Sequence, residues 1–265
     1  MLINDHFQNY KVYNIPKAQL VIADIPFNIG VNAYGSNPKW YIDGDNKNGE
    51  SEFAKSEFFD TDKDFRPAEF MHFCSKMMRK EGKNRNDAPC MIVFCEYEQQ
   101  FYLIGLARRY GINNYINLVF RKNFSAQVLK ANMRVVGNAE YGLLLYREKL
   151  PKFNNNGKMV FNIIDVERDT KSPKIHPTQK SVPLLKYLIS IFSDEGDVVI
   201  DPVAGSGATL VAAESLNRTA YGFEIKKDFF KNAQEWIERE KGQKDLIYNQ
   251  RKERYRSVDT IKMDI

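Results

Sequence analysis

An α/β fold built on a doubly wound, mostly parallel sheet is what this sequence predicts, on three observations. Short unbroken apolar runs at residues 20–23, 91–94 and 198–200 have the length and composition of strands buried on both faces. Segments with apolar residues at helical spacing alternate with them, at 67–80 and 183–192. A small-residue turn, Gly205-Ser206-Gly207, follows the third run and opens a further helix, the arrangement in which such sheets receive ligands at the C-terminal ends of their strands.

Taken in order, the run at 20–23 ends in Asp24-Ile25-Pro26-Phe27, where the proline lacks an N–H and turns a central strand into a loop. Residues 30–65, rich in Asn, Gly, Asp, Lys and aromatic side chains, show no apolar periodicity and are expected to leave the core. Phe70, Met71, Phe73, Cys74, Met77 and Met78 then recur at helical spacing, and a buried strand follows at 91–94. A second helix is expected over 99–110, stopped by Gly111, before strands at 115–120 and 141–146. Residues 123–138 and 150–175 are polar and irregular and read as surface segments. Leu184, Leu185, Leu188 and Ile189 mark the next helix, Gly196 closes its connection to the strand at 198–200, and residues 220–225 form another strand. From Lys226 the chain reads as a charged helix fraying into a polar end. No Gly-, Ser- or Pro-rich linker divides the 265 residues, so one domain spanning 1–265 is expected, with 30–65 and 123–175 as insertions.

Composition sets weaker bounds. The 39 Lys and Arg against 34 Asp and Glu give +5, which permits nucleic-acid binding without demanding it. Cys74, Cys90 and Cys95 sit among apolar residues outside any C-x-x-C pair and are expected to be reduced core residues. No basic stretch precedes an apolar run at the N-terminus, and no segment nears the roughly eighteen apolar residues of a membrane span, so a cytoplasmic protein without membrane contact is expected.

The strand ending in Asp201 and the turn at 205–207 bring small residues where a ligand must approach backbone closely, and Glu224, ending the next strand, is placed to grip ribose hydroxyls. A phosphate loop is disfavoured because no Gly-Lys-Ser/Thr follows, and a dinucleotide site is weak without the third glycine. Asp201-Pro202-Val203-Ala204-Gly205-Ser206-Gly207-Ala208-Thr209 resembles the D-P-F-x-G-S-G-T-T cofactor motif of the amino-methylating DNA methyltransferases. His176-Pro177-Thr178-Gln179-Lys180-Ser181 resembles the H-P-T-Q-K-P segment that precedes it in that family, and Asp24-Ile25-Pro26-Phe27 resembles the family's D-P-P-Y/F motif.

The order, catalytic tetrapeptide first and cofactor loop late, resembles the β class of N6-adenine and N4-cytosine enzymes, over roughly residues 15–34, 115–146 and 174–236. The resemblance implies a Rossmann-like fold, S-adenosyl-L-methionine as cofactor, no metal, and DNA as partner; it allows a homodimer and a partner restriction endonuclease. It implies cofactor contacts from Asp201, Pro202, Gly205, Ser206, Gly207, Thr209 and Glu224, from His176, Thr178, Gln179 and Lys180 around the methionine end, and from Asp5 near the adenine.

Methyl transfer to an aromatic amine requires a nitrogen lone pair that is normally delocalised into the ring. Two acceptors on the amino hydrogens and a ring stacked on the base localise it, and Asp24, the Ile25 carbonyl and Phe27 offer those parts around Pro26. Ile25 in place of proline loosens the restraint on φ. Asn28, Tyr34, Lys39 and Trp40 after the tetrapeptide, with Arg121, Lys122 and Arg134, are the expected DNA contacts. The expected activity is methylation of adenine N6; cytosine N4, or a DNA-binding module of the same fold without turnover, are the alternatives.

Overall fold

The chain runs β1 (Leu2–Ile3), a 3-10 turn (Phe7–Tyr13), β2 (Leu20–Asp24), α1 (Pro67–Met77), β3 (Cys90–Cys95), α2 (Tyr97–Arg109), β4 (Asn114–Lys122), β5 (Gln127–Lys130), β6 (Val135–Gly137), β7 (Ala139–Tyr146) and β8 (Ile163–Val166). It continues through α3 (Val182–Phe192), β9 (Val198–Asp201), α4 (Ala208–Ser215), β10 (Thr219–Phe223) and α5 (Lys227–Lys262). The computed structural model describes residues 1–26, 65–84, 86–124, 127–130, 135–176 and 178–262.

Eight strands form one sheet in the order β1-β10-β9-β2-β3-β7-β4-β8, while β5 and β6 pair as a separate hairpin. Every neighbouring pair in the large sheet is parallel except those of β7, which runs antiparallel to both β3 and β4. Side chains alternate along each strand, so Leu20 and Ile22 of β2 face one core and Val21 and Ala23 the other. The first core takes Leu185 and Leu188 of α3, Leu210 of α4 and Trp236 of α5; the second takes Phe7, Phe70 and Phe73 with Leu103 of α2. Both faces are covered, which is why the central strands read as unbroken apolar runs.

Local chemistry sets several boundaries. Pro67 starts α1, where its missing N–H costs nothing, and Ser181 caps α3 through its hydroxyl to the Leu184 N–H. A Cβ on Gly142 would lie 3.1 Å from both the Val93 carbonyl and the Phe120 ring, so β7 can pass between β3 and β4 there only as glycine.

Two expectations change. Residues 150–175 contain β8, an edge strand paired among the described residues with β4 alone, and 123–138 contains the β5–β6 hairpin. The span 123–175 is also not one insertion, because β7 runs through the middle of the large sheet. The C-terminal helix spans Lys227–Lys262, where the charged run after Lys226 predicts one. The three cysteines are buried free thiols, and no helix among the described residues is long and apolar enough to cross a membrane.

From β2 the chain winds through α1 to β3 on one side; from β9 it winds through α4 to β10 on the other. Since β2 and β9 are adjacent and parallel, their C-terminal ends flank the point where winding reverses, the position at which open α/β sheets receive a ligand in a crevice.

Candidate active site

Asp24 and Asp201 end the two strands at that crevice. Asp201 is 4% exposed; its Oδ1 accepts the Val203 N–H at 3.0 Å and its carboxyl accepts a hydrogen bond from the Thr209 side chain. Burial, with Asp24 and Glu224 as anionic neighbours, pushes it up to about 7 against the pull of those hydrogen bonds.

The glycine loop closes over this end of the sheet. Gly205 has φ +50, and a Cβ there would point toward the His176 ring, 3.7 Å away; its N–H donates to Glu224 Oε2 at 2.9 Å. Glu224 Oε1 accepts the Lys226 N–H at 2.7 Å, and burial raises this carboxyl above its ordinary value. Ser206 accepts the Ala208 N–H at the start of α4. Gly207 has φ +76, and its missing Cβ leaves room for Ile237 and Ala233 of α5, which would stand 3.0 and 3.2 Å from one. A glycine there serves helix packing.

The segment before α3 folds against the loop. His176 packs edge-on to Phe229 at 4.5 Å between ring centroids, and burial beside Lys226 and Lys180 brings its pKa down to about 4, so the imidazole is neutral at physiological pH. Thr178 bonds to His176 Nδ1 at 3.1 Å, and Gln179 spends both ends of its amide on the loop's own backbone, at Ile175 N and Pro173 O. These two residues brace the turn.

Lys180 reaches across to the end of β2. Its ammonium lies 3.0 Å from Asp24 Oδ1 and 3.3 Å from Glu140 Oε2, with the side chain 10% exposed. Burial alone would lower its pKa, but Asp24 and Glu140 outweigh that and raise it, so the group is a fixed cation. Asp24 Oδ1 is sealed from solvent without a hydrogen bond of good geometry among the described residues, while a quarter of the side chain stays exposed. Burial raises Asp24 to about 6, opposed by Lys180 and reinforced by Glu140.

Beyond Asp24, Ile25 is 2% exposed and its N–H donates to the Phe94 carbonyl at 3.3 Å. The Pro26 carbonyl accepts from Gln99 Nε2 at 3.0 Å, while Gln99 Oε1 takes the Glu96 N–H in the capping box of α2. Sequence reasoning missed Glu140 and Gln99: each is one polar residue at the start of an element, with no local motif to mark it.

Asp5 follows β1, beside the end of β10, where the Glu224 N–H donates to the Ile3 carbonyl. Its carboxylate is engaged by His6 N, Asn9 Nδ2 and Tyr13 Oη, which lower its pKa. Pro202 lies in the turn after Asp201. Arg121 forks onto Asp165 across β4 and β8 at 2.6 and 2.9 Å, and Lys122 pairs with Glu140, so each of these expected DNA contacts has an intramolecular anion. Phe27, Asn28, Tyr34, Lys39, Trp40, Arg134 and Pro177 lie outside the described residues.

A doubly wound sheet with a glycine loop and the carboxyls of Asp24, Asp201 and Glu224 at one switch point is the architecture in which α/β proteins take nucleotide-like ligands. The chain belongs to the DNA methylase family, whose model matches residues 18–235. It is 36% identical over 85 residues to the type II methyltransferase M.HpaI of Haemophilus parainfluenzae, covering 32% of this chain and 27% of that one. It is 31% identical over 138 residues to the DNA adenine methyltransferase YhdJ of Escherichia coli, covering 51% of this chain and 42% of that one. These matches thus span under half of either relative's length. The fold matches a crystal structure of an M1.HpyAVI–SAM complex with TM-score 0.62 at 21% identity, covering 89% of this chain and 98% of that one. It also matches the cytosine-N4-specific PvuII DNA methyltransferase with TM-score 0.61 at 14% identity, covering 88% and 84%.

Proposed function

We propose that this chain transfers the methyl group of S-adenosyl-L-methionine to the N6 amino group of adenine in DNA. The observation that carries the reading is the convergence of Asp24 with Asp201, Gly205 and Glu224, from strand ends remote in sequence, on one crevice between β2 and β9.

The residues present fit the cofactor. Burial raises Asp24, Asp201 and Glu224, and Asp24 and Glu224 both add to the rise at Asp201, a group of acids suited to a ligand carrying a sulfonium and an ammonium. Glu224 spends one lone pair of each oxygen on Gly205 and Lys226 and keeps the others for ribose hydroxyls. Bound there, the cofactor would supply an electrophilic methyl carbon.

The chain's own part is to prepare the amine. Lys180 holds the inner oxygen of Asp24, so the outer side of that carboxyl is left to accept one amino hydrogen. Gln99 occupies the Pro26 carbonyl, whereas no hydrogen bond from a described residue reaches the Ile25 carbonyl, which accepts the other amino hydrogen. Phe27 stacks on the extruded base. The methylated amine would carry a positive charge, and Asp24, near pKa 6, would take the proton it sheds.

Adenine is supported by the aspartate heading the tetrapeptide and by the printed name of the YhdJ relative. The same reading carries a cytoplasmic setting with DNA as partner, segment 30–65 and the basic residues as its contacts, a single domain, and room for a homodimer and a restriction endonuclease.

The test is tritium transfer to DNA, followed by mass spectrometry of the digested nucleosides. Methyl on adenine N6 is expected; methyl on cytosine N4 would redirect the acceptor. Asp24→Ala should lose transfer yet bind S-adenosyl-L-methionine nearly as the parent does, and retained turnover would refute the role of Asp24.

A further inference from the structure

Four charges alternate through the interior beside the crevice: Asp24 at the end of β2, Lys180 before α3, Glu140 in β7 and Lys122 in β4. Lys180 reaches both carboxylates, at 3.0 and 3.3 Å, and its ammonium also sits over the Phe94 ring, 5.1 Å from the centroid. Apolar residues of the same volume would serve stability as well or better, because desolvating each ion is expensive. This network instead ends on the carboxyl that faces the crevice, and it seals only the inner oxygen.

We propose that Lys180 is a positioning residue of the methyl-transfer site: it pins the inner oxygen of Asp24, keeps that carboxylate ionised, and aims the outer oxygen at the substrate amine, with Glu140 setting how strongly it acts. The proposal deepens the methyltransferase reading and rests on it.

The groups facing Asp24 are Lys180, Glu140, Lys122, Cys95 of β3 and Asp201 of β9. The Cys95 thiol, pushed up to about 12 by burial and by the anions Asp24 and Glu96, carries no charge in the working range. Lys180 and Lys122 favour ionised Asp24, whereas Glu140 and Asp201 disfavour it. Two single changes should therefore move Asp24 in opposite directions. Lys180→Gln removes the nearest cation and shifts titration to higher pH. Glu140→Gln removes an anion, leaves both lysines to act on Asp24, and shifts it to lower pH. A network that only holds the fold would give no such opposition.

The experiment uses the full chain with tritiated S-adenosyl-L-methionine and DNA from pH 5 to 9, beside carbon-13 NMR of aspartate carboxyls with Asp24 assigned by its Ala variant. The parent should show an acidic limb of kcat/KM near pH 6. In Lys180→Gln that limb should rise by about one unit or more, with an activity loss of about twofold or more at pH 7 that narrows toward pH 9. In Glu140→Gln it should fall, and Lys180→Arg should restore much of the parent profile. Calorimetry of cofactor binding and a thermal melt establish that each variant is folded. Limbs that move together, or folded variants that lose activity by the same factor at every pH, overturn the proposal. If Asp24 titrates in the two opposed directions by NMR while the parent methylates no DNA, the pinning stands and the methyltransferase reading falls.

Discussion

Replacing Asp201 by asparagine should stabilise the ligand-free protein above neutral pH, although it removes a charge from a residue with well-formed hydrogen bonds. Asp201 is held near pKa 7, against about 3.9 in an unfolded chain, chiefly by burial. Because the folded value is the higher one, folding takes up a proton between these limits. The associated stability is complete below about pH 4 and is lost as pH rises through about 7. A gap of about three units at 1.36 kcal/mol each comes to about 4 kcal/mol, a large share of a typical folding free energy. Asparagine stays neutral throughout, and its side chain can still accept the Val203 N–H and donate its amide to the Thr209 hydroxyl. Since part of that stability is already lost by pH 5, the variant should gain on the parent by about 3 kcal/mol between pH 5 and 8.5, or about 6 °C in melting midpoint at about 2 °C per kcal/mol. Urea midpoints across that range, followed by tryptophan fluorescence without ligand, measure it. Reading the difference between variant and parent cancels the lowered carboxyls elsewhere, such as Asp165 and Asp194, which push total stability the other way at low pH. A difference that stays constant with pH would refute the claim that Asp201 carries its strain as a proton.

Two further outcomes follow from the same geometry. A cationic ligand in the crevice lowers Asp24 and Asp201 from about 6 and about 7, so cofactor binding near pH 6.5 should release protons; calorimetry in buffers of different ionisation enthalpy reads the number, and none released would contradict the acid-surplus account. Gly207→Ala, strained at φ +76 and pressed against Ile237 and Ala233, should cost about 1–2 kcal/mol in urea while leaving cofactor affinity nearly unchanged, since the new methyl meets α5 and not the ligand side.

The parallel core was legible because strands covered on both faces must be apolar at every position, which is what residues 20–23, 91–94 and 198–200 show. β8 was not, for the complementary reason: an edge strand with one partner keeps Ile163 half exposed and carries Asp165, so its sequence resembles a loop. In the site, residues in contiguous motifs could be placed in advance, and Asp24, His176, Gly205 and Glu224 do meet. Lys180 was found by its motif but its ion partners were not, because they are fixed by tertiary packing: Asp24 lies far back in the chain and Glu140 enters from an antiparallel strand threaded between β3 and β4.

The substitution at Ile25 shows how the fold can supply what a motif lacks. A proline there would hold φ by its ring but could donate no hydrogen bond. Isoleucine gives up the ring, yet its N–H extends the β2–β3 pairing by donating to the Phe94 carbonyl, and its side chain is buried in the core beside Val93 and Cys95. One residue on, Gln99 holds the Pro26 carbonyl from the first turn of α2, and its other end is locked by the Glu96 N–H. The chain is therefore clamped on both sides of the Ile25 carbonyl, which no described residue bonds. Rigidity that the family motif writes into the backbone is here distributed over a strand neighbour and a helix cap, so it depends on β3 and α2 being folded before the tetrapeptide can take its working shape.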